Sequence, residues 1–220
     1  MTRALILGAT GGIGAALCDV LREDGADVTG LSRADGLDLT DQSSVARTAA
    51  GLTAPFDLII NATGALVIDG AQPEKSIARI DADAMAAQFA LNAIGAALAL
   101  RDFAPLLPRT GRSVFATLSA RVGSIGDNRL GGWISYRAAK AAQNQITRTA
   151  AIEIARKRPE AIVLALHPGT VSTPLTAEYA ASYPTITPER AARALLKVIA
   201  ARTPEDTGSF WDWKGTRVEW

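Results

Sequence analysis

Tyr136 and Lys140 stand four residues apart in the stretch ISYRAAKAA, residues 134–142. The residues around them are good helix formers, so the pair shares one helix face. A free phenol has a pKa of about 10 and gives up its proton poorly at neutral pH. An ammonium beside it favours the phenolate and brings that pKa toward the working range. Such a pair moves a proton to or from a reacting oxygen. The same spacing also fits two ordinary residues on a solvated face, so the elements around them must decide.

A second chemical signal lies at the start of the chain. The apolar run RALIL, 3–7, leads straight into GATGGIG, 8–14, and then into a helical pattern. Gly8, Gly12 and Gly14, with Thr10, Gly11 and Ile13 between them, give a turn tight enough for backbone to approach a pyrophosphate. The following helix offers free N–H groups and the positive end of its dipole. The spacing is G-x-x-x-G-x-G, and the strand–turn–helix context is the one a dinucleotide site needs. About 20 residues on, a ribose-binding carboxylate would select NAD and an arginine would accept the 2′-phosphate of NADP. Ser32 and Arg33 hold that place, with Asp35 close by. A guanidinium fork suits a phosphate, so NADP(H) is expected over NAD(H).

The rest of the chain supplies the frame. Strand-like runs at 3–7, 26–31, 56–61, 112–119 and 161–167 alternate with helical patterns at 12–24, 41–52, 81–107, 133–157 and 188–202. Thr187 and Pro188 read as the N-cap and first residue of the last helix. This alternation predicts an α/β fold, a Rossmann-type doubly wound parallel sheet of six to seven strands with helices on both faces. Only about five residues separate VTGL from LDLTD, too few for a parallel crossover. A short or vestigial strand is therefore expected at GLDL, 36–39, with the first half of the sheet trimmed.

Composition narrows the class. The 220 residues suit one domain, 1–220; 48 % are hydrophobic and 20 % charged, as in a globular protein. A net charge of +1 gives no basic surplus for nucleic acid. The single cysteine, Cys18, forms no intrachain disulfide and fits a reducing compartment. The first apolar run is too short for a leader or a span, so a cytoplasmic protein with no membrane partner is expected. No metal-ligand cluster is visible; His167, the lone histidine, reads as structural, and Cys18 as a packed side chain.

Six motifs in order, GATGGIG (8–14), DLIINATG (57–64), LNAIG (91–95), SARVGSIGDN (119–128), YRAAK (136–140) and HPGTVSTPL (167–175), resemble the short-chain dehydrogenase/reductase family. The resemblance covers nearly the whole chain and is strongest toward the C-factor and sniffer-like carbonyl reductase branch. It implies that Asp57, Asn61, Ala62, Thr63 and Gly64 shape the adenine and ribose pocket, and that Asp38 and Leu39 flank the adenine. It places Asn92 mid-helix with a water linked to the lysine, and Pro168, Gly169, Val171 and Thr173 against the nicotinamide. Tyr136 and Lys140 would serve both proton transfer and the nicotinamide ribose.

The family's usual serine, three residues before Gly123, is here Ala120. Ser119 is taken ahead of Ser124 as its replacement; a third reading is that the tyrosine acts alone. Adjacent strand residues point to opposite faces, so Ser119 can substitute only if the strand has ended or bulged there.

The resemblance implies NADPH-dependent reduction of a small or medium aldehyde or ketone. The alternatives are a nucleotide-binding signalling protein with little turnover and, less suited to so short a chain, an epimerase or dehydratase. A homodimer or homotetramer is implied, on the Ala-rich helices 81–107 and 133–157. Trp133 could touch substrate, while Trp211, Trp213 and Trp220 read as packing residues. Residues 173–189 are expected to form a small lid over an open pocket.

Overall fold

The computed structural model describes residues 1–173 and 184–220. The expected lid falls largely on 174–183 and lies outside the described residues. Six parallel strands form one sheet: β1 (Arg3–Leu7), β2 (Asp27–Leu31), β3 (Leu58–Asn61), β4 (Ser113–Leu118), β5 (Ala161–His167) and β6 (Ser209–Asp212), in the order β2-β1-β3-β4-β5-β6. The expected Rossmann-type architecture is what the chain adopts. The order reverses at β1, which pairs with both β2 and β3. A crevice opens at such a reversal, beyond the carboxyl ends of the strands.

Alternation along the strands builds two cores. From β1, Ala4 and Ile6 face one layer, with α1 (Gly12–Glu23) and α6 (Pro188–Ala200). Leu5 and Leu7 face the other, with α2 (Gln42–Ala50) and α4 (Gly95–Phe103). Strands buried on both faces read as unbroken apolar runs, which is why RALIL and AIVLAL were legible. Each fully buried Leu or Ile contributes about 1.5–3 kcal/mol.

The predicted helix 81–107 is α3 (Ala82–Phe89), a π turn (Ala90–Ile94) and α4, ending in a 3₁₀ turn (Ala104–Leu106). By length and mean hydropathy, 1.3, this stretch could cross a bilayer. Here it packs against α5 (Ile134–Ala155), α2 and β3.

Two expectations need correction. No strand forms at GLDL. After β2 the chain makes a 3₁₀ turn (Arg33–Asp35) and Gly36 takes a left-handed φ of 83°. Leu37 and Leu39 then drop into the α2/α4 core, and Asp41 caps α2. The first half of the sheet is indeed trimmed, with β2 at the edge. The sixth strand is instead β6, SFWD, which pairs with β5. Its four residues show too little apolar alternation to stand out from the loop around them.

Candidate active site

The glycine turn is sterically specified. Gly8 has φ +87° and donates its N–H to the Leu31 carbonyl at 2.7 Å. A Cβ placed on Gly14 would lie 2.1 Å from the Gly8 carbonyl oxygen, so any side chain there breaks the turn. The Gly12 Cα faces Thr173, whose methyl would stand 2.6 Å from an added Cβ. Gly11 caps α1 with no side-chain acceptor on the first-turn N–H groups. Closely approachable backbone and uncapped donors together fit a dinucleotide pyrophosphate.

At the end of β2, the Ser32 N–H and hydroxyl both donate to Asp35, at 3.0 and 2.7 Å. That carboxylate is thereby tied into a capping box. Arg33 is exposed, and its side chain makes no hydrogen bond or ion pair with the described residues. Asp38 is also exposed; hydrogen bonds from the Thr40 hydroxyl and N–H hold its carboxyl below the ordinary value. Leu39 is buried beneath it, packed on Gly95.

A cavity of about 730 Å³ lies at the carboxyl ends of the central strands. It brings together Ile13, the 62–64 turn, Ser119, Tyr136, Lys140 and the 168–173 loop, excluding Ser172. Trp133 also lines it, edge-on to Tyr136 with centroids 6.4 Å apart. Of the glycine turn, Ile13 lines it, Gly12 lies against the lining residue Thr173, and Gly8 and Gly14 do not line it. Asn61 and Asn92 sit behind its wall. The Asn61 Oδ1 accepts the Thr63 hydroxyl at 2.6 Å and so shapes the 61–64 turn.

The floor is a buried polar network. Lys140 is 4 % exposed; its Nζ donates to the Leu118 carbonyl at 3.2 Å and to Gln143 Oε1 at 2.8 Å. Gln143 Nε2 in turn donates to Thr117 Oγ1 and the Leu118 carbonyl. Gly64 separates Lys140 from Asn92: an added Cβ would lie 3.3 Å from Nζ and 2.8 Å from Asn92 Oδ1. The π turn lets Asn92 clasp Ala65 through both backbone groups, at 3.2 and 2.8 Å.

Burial pushes the Lys140 ammonium down to about 7 and pushes the Tyr136 phenol up. Burial thus works against the lowering of the phenol that the ammonium favours. Desolvation outweighs a charge that itself is lost near neutrality. The site presents a neutral phenol, a proton donor.

The condition set for Ser119 is met in that β4 ends at Leu118, one residue before it. The Ser119 N–H still donates to Leu166 on β5, and Ala120 remains extended at φ −136°, ψ 141°. With no bulge, the Ser119 hydroxyl donates to Asn144 Oδ1 on α5 at 2.6 Å. Ser119 touches the cavity, as does Ala120. Ser124 is buried, its hydroxyl accepting the Asp127 N–H.

Three further residues were not singled out from sequence. Gln143 and Asn144 follow Lys140 at three and four residues, so buried amides in an Ala-rich helix were the available signal. Glu74 gave none, being 61 positions from its partner. Its carboxylate accepts both the N–H and the hydroxyl of Ser135, and its carbonyl accepts the Trp133 N–H. It thus caps α5, whose N-cap Trp133 is left-handed at φ 54°. Burial works against the Glu74 charge, but the Ser135 bonds outweigh it and lower its pKa.

The discounted residues divide. His167 lines the cavity, its Nδ1 buried without a hydrogen bond among the described residues, and burial lowers it to about 4. Trp211 carries Arg202 at 3.9 Å, and Trp220 stacks on Phe210 at 5.6 Å, as packing residues do. No metal-binding group of three occurs among the described residues.

Comparison with known proteins agrees with this frame. The family model "short chain dehydrogenase" matches residues 2–184. The 1-hydroxy-2-glutathionyl-2-methyl-3-butene dehydrogenase of Rhodococcus sp. (strain AD45) is 32 % identical, over 100 % of both chains. The C-signal protein of Myxococcus xanthus is 32 % identical over 76 % of this chain and 95 % of its own. Among solved structures, the NADPH-bound carbonyl reductase from chicken fatty liver superposes with a TM-score of 0.84 at 22 % identity, over 100 % of this chain and 99 % of the other.

Proposed function

The chain belongs to the short-chain dehydrogenase/reductase family of NAD(P)-dependent oxidoreductases, and from that premise we propose that it reduces an aldehyde or ketone to an alcohol, with NADPH preferred. The observation that carries this reading is the cavity in which a neutral Tyr136 phenol and a buried Lys140 stand beside the strand ends.

A reduced nicotinamide, when bound, supplies hydride to the carbonyl carbon. Gly8, Gly12, Gly14 and the uncapped first turn of α1 hold its pyrophosphate, and Arg33 its 2′-phosphate. Pro168, Gly169, Val171 and Thr173 close on the other end. Tyr136 donates a hydrogen bond to the carbonyl oxygen and then its proton, so that no alkoxide is left in a dry cavity. Lys140 offers a positive end near that oxygen and returns a proton to the phenol. Ser119, bound to Asn144, orients the wall, and Tyr136 is the one hydroxyl we assign to the substrate oxygen. Run backwards, the phenolate takes the proton of an alcohol, the direction in the name of the Rhodococcus relative.

The test follows NADPH loss with a panel of aldehydes and ketones. Turnover that survives Tyr136→Phe undiminished overturns the mechanism. Ala120 in the serine position and the likeness to C-signal favour a second reading, a nucleotide-binding signalling protein. Tight NADP(H) binding without turnover across the panel would select it. A cytoplasmic homodimer or homotetramer, built on α4 and α5, belongs to the same proposal. Exposed Ile94, at the end of the π turn that leads into α4, and exposed Ile152 on α5 support it.

A further inference from the structure

The charges lining the cavity do not balance. Four cationic side chains, Arg121, Arg129, Arg137 and Lys140, face one carboxylate, Asp127. Three of the four are committed. Lys140 is held on the floor by Leu118 and Gln143. Arg137 donates to the carbonyls of Val122, Gly131 and Gly132, and so ties down the loop before α5. Arg121 pairs with Asp127 at 2.5 Å and reaches Asp212 at 3.9 Å. The Arg129 side chain makes no hydrogen bond or ion pair with any described residue. Its field reaches Asp127 only as the last of the causes that lower that carboxyl, behind the hydrogen bond from Arg121.

The cavity that Tyr136 and Arg129 both line also carries the apolar side chains of Leu66, Leu118, Val122 and Trp133, while Leu130 beside Arg129 is 83 % exposed. A cavity with a proton donor in one part and an uncommitted guanidinium in another sorts ligands by their ends. Arg129 itself is exposed, so water screens its field at a distance and any selection must come from direct pairing. A guanidinium fork matches a planar carboxylate with two parallel hydrogen bonds.

We propose that the substrates are carbonyl compounds carrying a carboxylate on an apolar chain, with Arg129 as the counter-ion that selects them. The proposal rests on the reductase reading above and adds to it the substrate class and the specificity residue. The carboxylate takes the place at Arg129 that no described side chain fills, while the carbonyl reaches Tyr136. The one carboxylate in the lining, Asp127, does not oppose this, since Arg121 neutralises it.

The experiment compares a series of ω-oxo acids of increasing chain length with n-alkanals of the same lengths, using NADPH and the full chain. At the best length the oxo acid is expected to exceed its alkanal in kcat/KM by about two- to fivefold, the worth of one exposed ion pair. Arg129→Ala is expected to collapse that ratio toward one, and added salt to shrink it. Equal rates for acids and alkanals, or a ratio that survives Arg129→Ala, overturn the proposal and leave the reductase reading standing. Should neither series turn over, the reductase reading fails on its own. Calorimetric titration with the ω-hydroxy acid and the matching n-alkanol, NADP being present, then decides the inference. Binding of the acid alone, lost in Arg129→Ala, supports it; equal or absent binding of both overturns it.

Discussion

Lys140 Nζ stands 5.8 Å from the centroid of the Tyr136 ring, one helical turn away on α5. The two side chains share a face, yet their surroundings push them toward neutrality together. The phenol rises and the ammonium falls to about 7.

This has a consequence for stability against pH. In the unfolded chain a lysine keeps its proton to about pH 10.4. In the folded apo protein Lys140 loses it near 7. Between those values the unfolded state binds more protons, so stability rises with pH. The unfolding free energy from urea titration should therefore increase from pH 7 to 9, by an amount on the order of 2 kcal/mol. Lys140→Met should flatten that rise; an unchanged slope would show that the ammonium is not desolvated.

Tyr136→Phe removes the proton donor and leaves the ring. With a substrate found in the carbonyl panel, kcat is expected to fall by about a hundredfold or more, the usual worth of a general acid. Ser119→Ala should cost less than about tenfold, because its hydroxyl already serves Asn144. Single-turnover rates separate the two; equal losses would return Ser119 to the substrate oxygen.

Arg33→Asp places a carboxylate where the 2′-phosphate is expected. The dissociation constant for NADPH should rise by about ten- to a hundredfold, with NADH little altered or improved. Fluorescence titration of both cofactors reads this directly. A parallel loss for both would assign Arg33 to general structure.

Glu74→Ala removes the carboxylate that caps α5 through Ser135. A loss of about 1–2 kcal/mol is expected, with slower turnover because Trp133 and Tyr136 follow the loosened end. Glu74→Gln keeps an acceptor for the Ser135 N–H and should recover most of both. Thermal melts alongside kcat give the comparison.

Gly14→Ala is expected to destabilise strongly, as its Cβ would lie 2.1 Å from the Gly8 carbonyl oxygen. A loss of about 2 kcal/mol or more, read from the melting temperature, should accompany loss of NADP binding. Wild-type stability in this variant would mean that the turn opens without cost.

Much of the fold was legible because its signals are local. β1, β3 and β5 are buried on both faces and so read as continuous apolar runs. The Gly8–Gly14 turn was visible as glycines between a strand and a helix. β6 was not, since SFWD takes its identity from pairing with β5 across a helical crossover. The GLDL segment misled because alternating Leu37 and Leu39 serve equally in a strand or in a loop laid over a helix core.

The site divides along the same line. Sequence alone determined which groups share the α5 face, Tyr136 and Lys140, because helical spacing fixes neighbours within one turn. It determined the glycine turn and the absence of a serine at position 120. Tertiary structure alone decided the protonation of the pair, which depends on how completely the folded chain removes water. It decided where Ser119 points, toward Asn144 on α5, and brought Glu74 to Ser135 across 61 residues. It also decided that the Arg129 side chain stands outside the hydrogen bonds and ion pairs of the described residues, since only the folded loop commits Arg121 and Arg137 elsewhere. Residue types and short spacings fix what chemistry is available; burial and distant contacts fix which charge states and orientations that chemistry has.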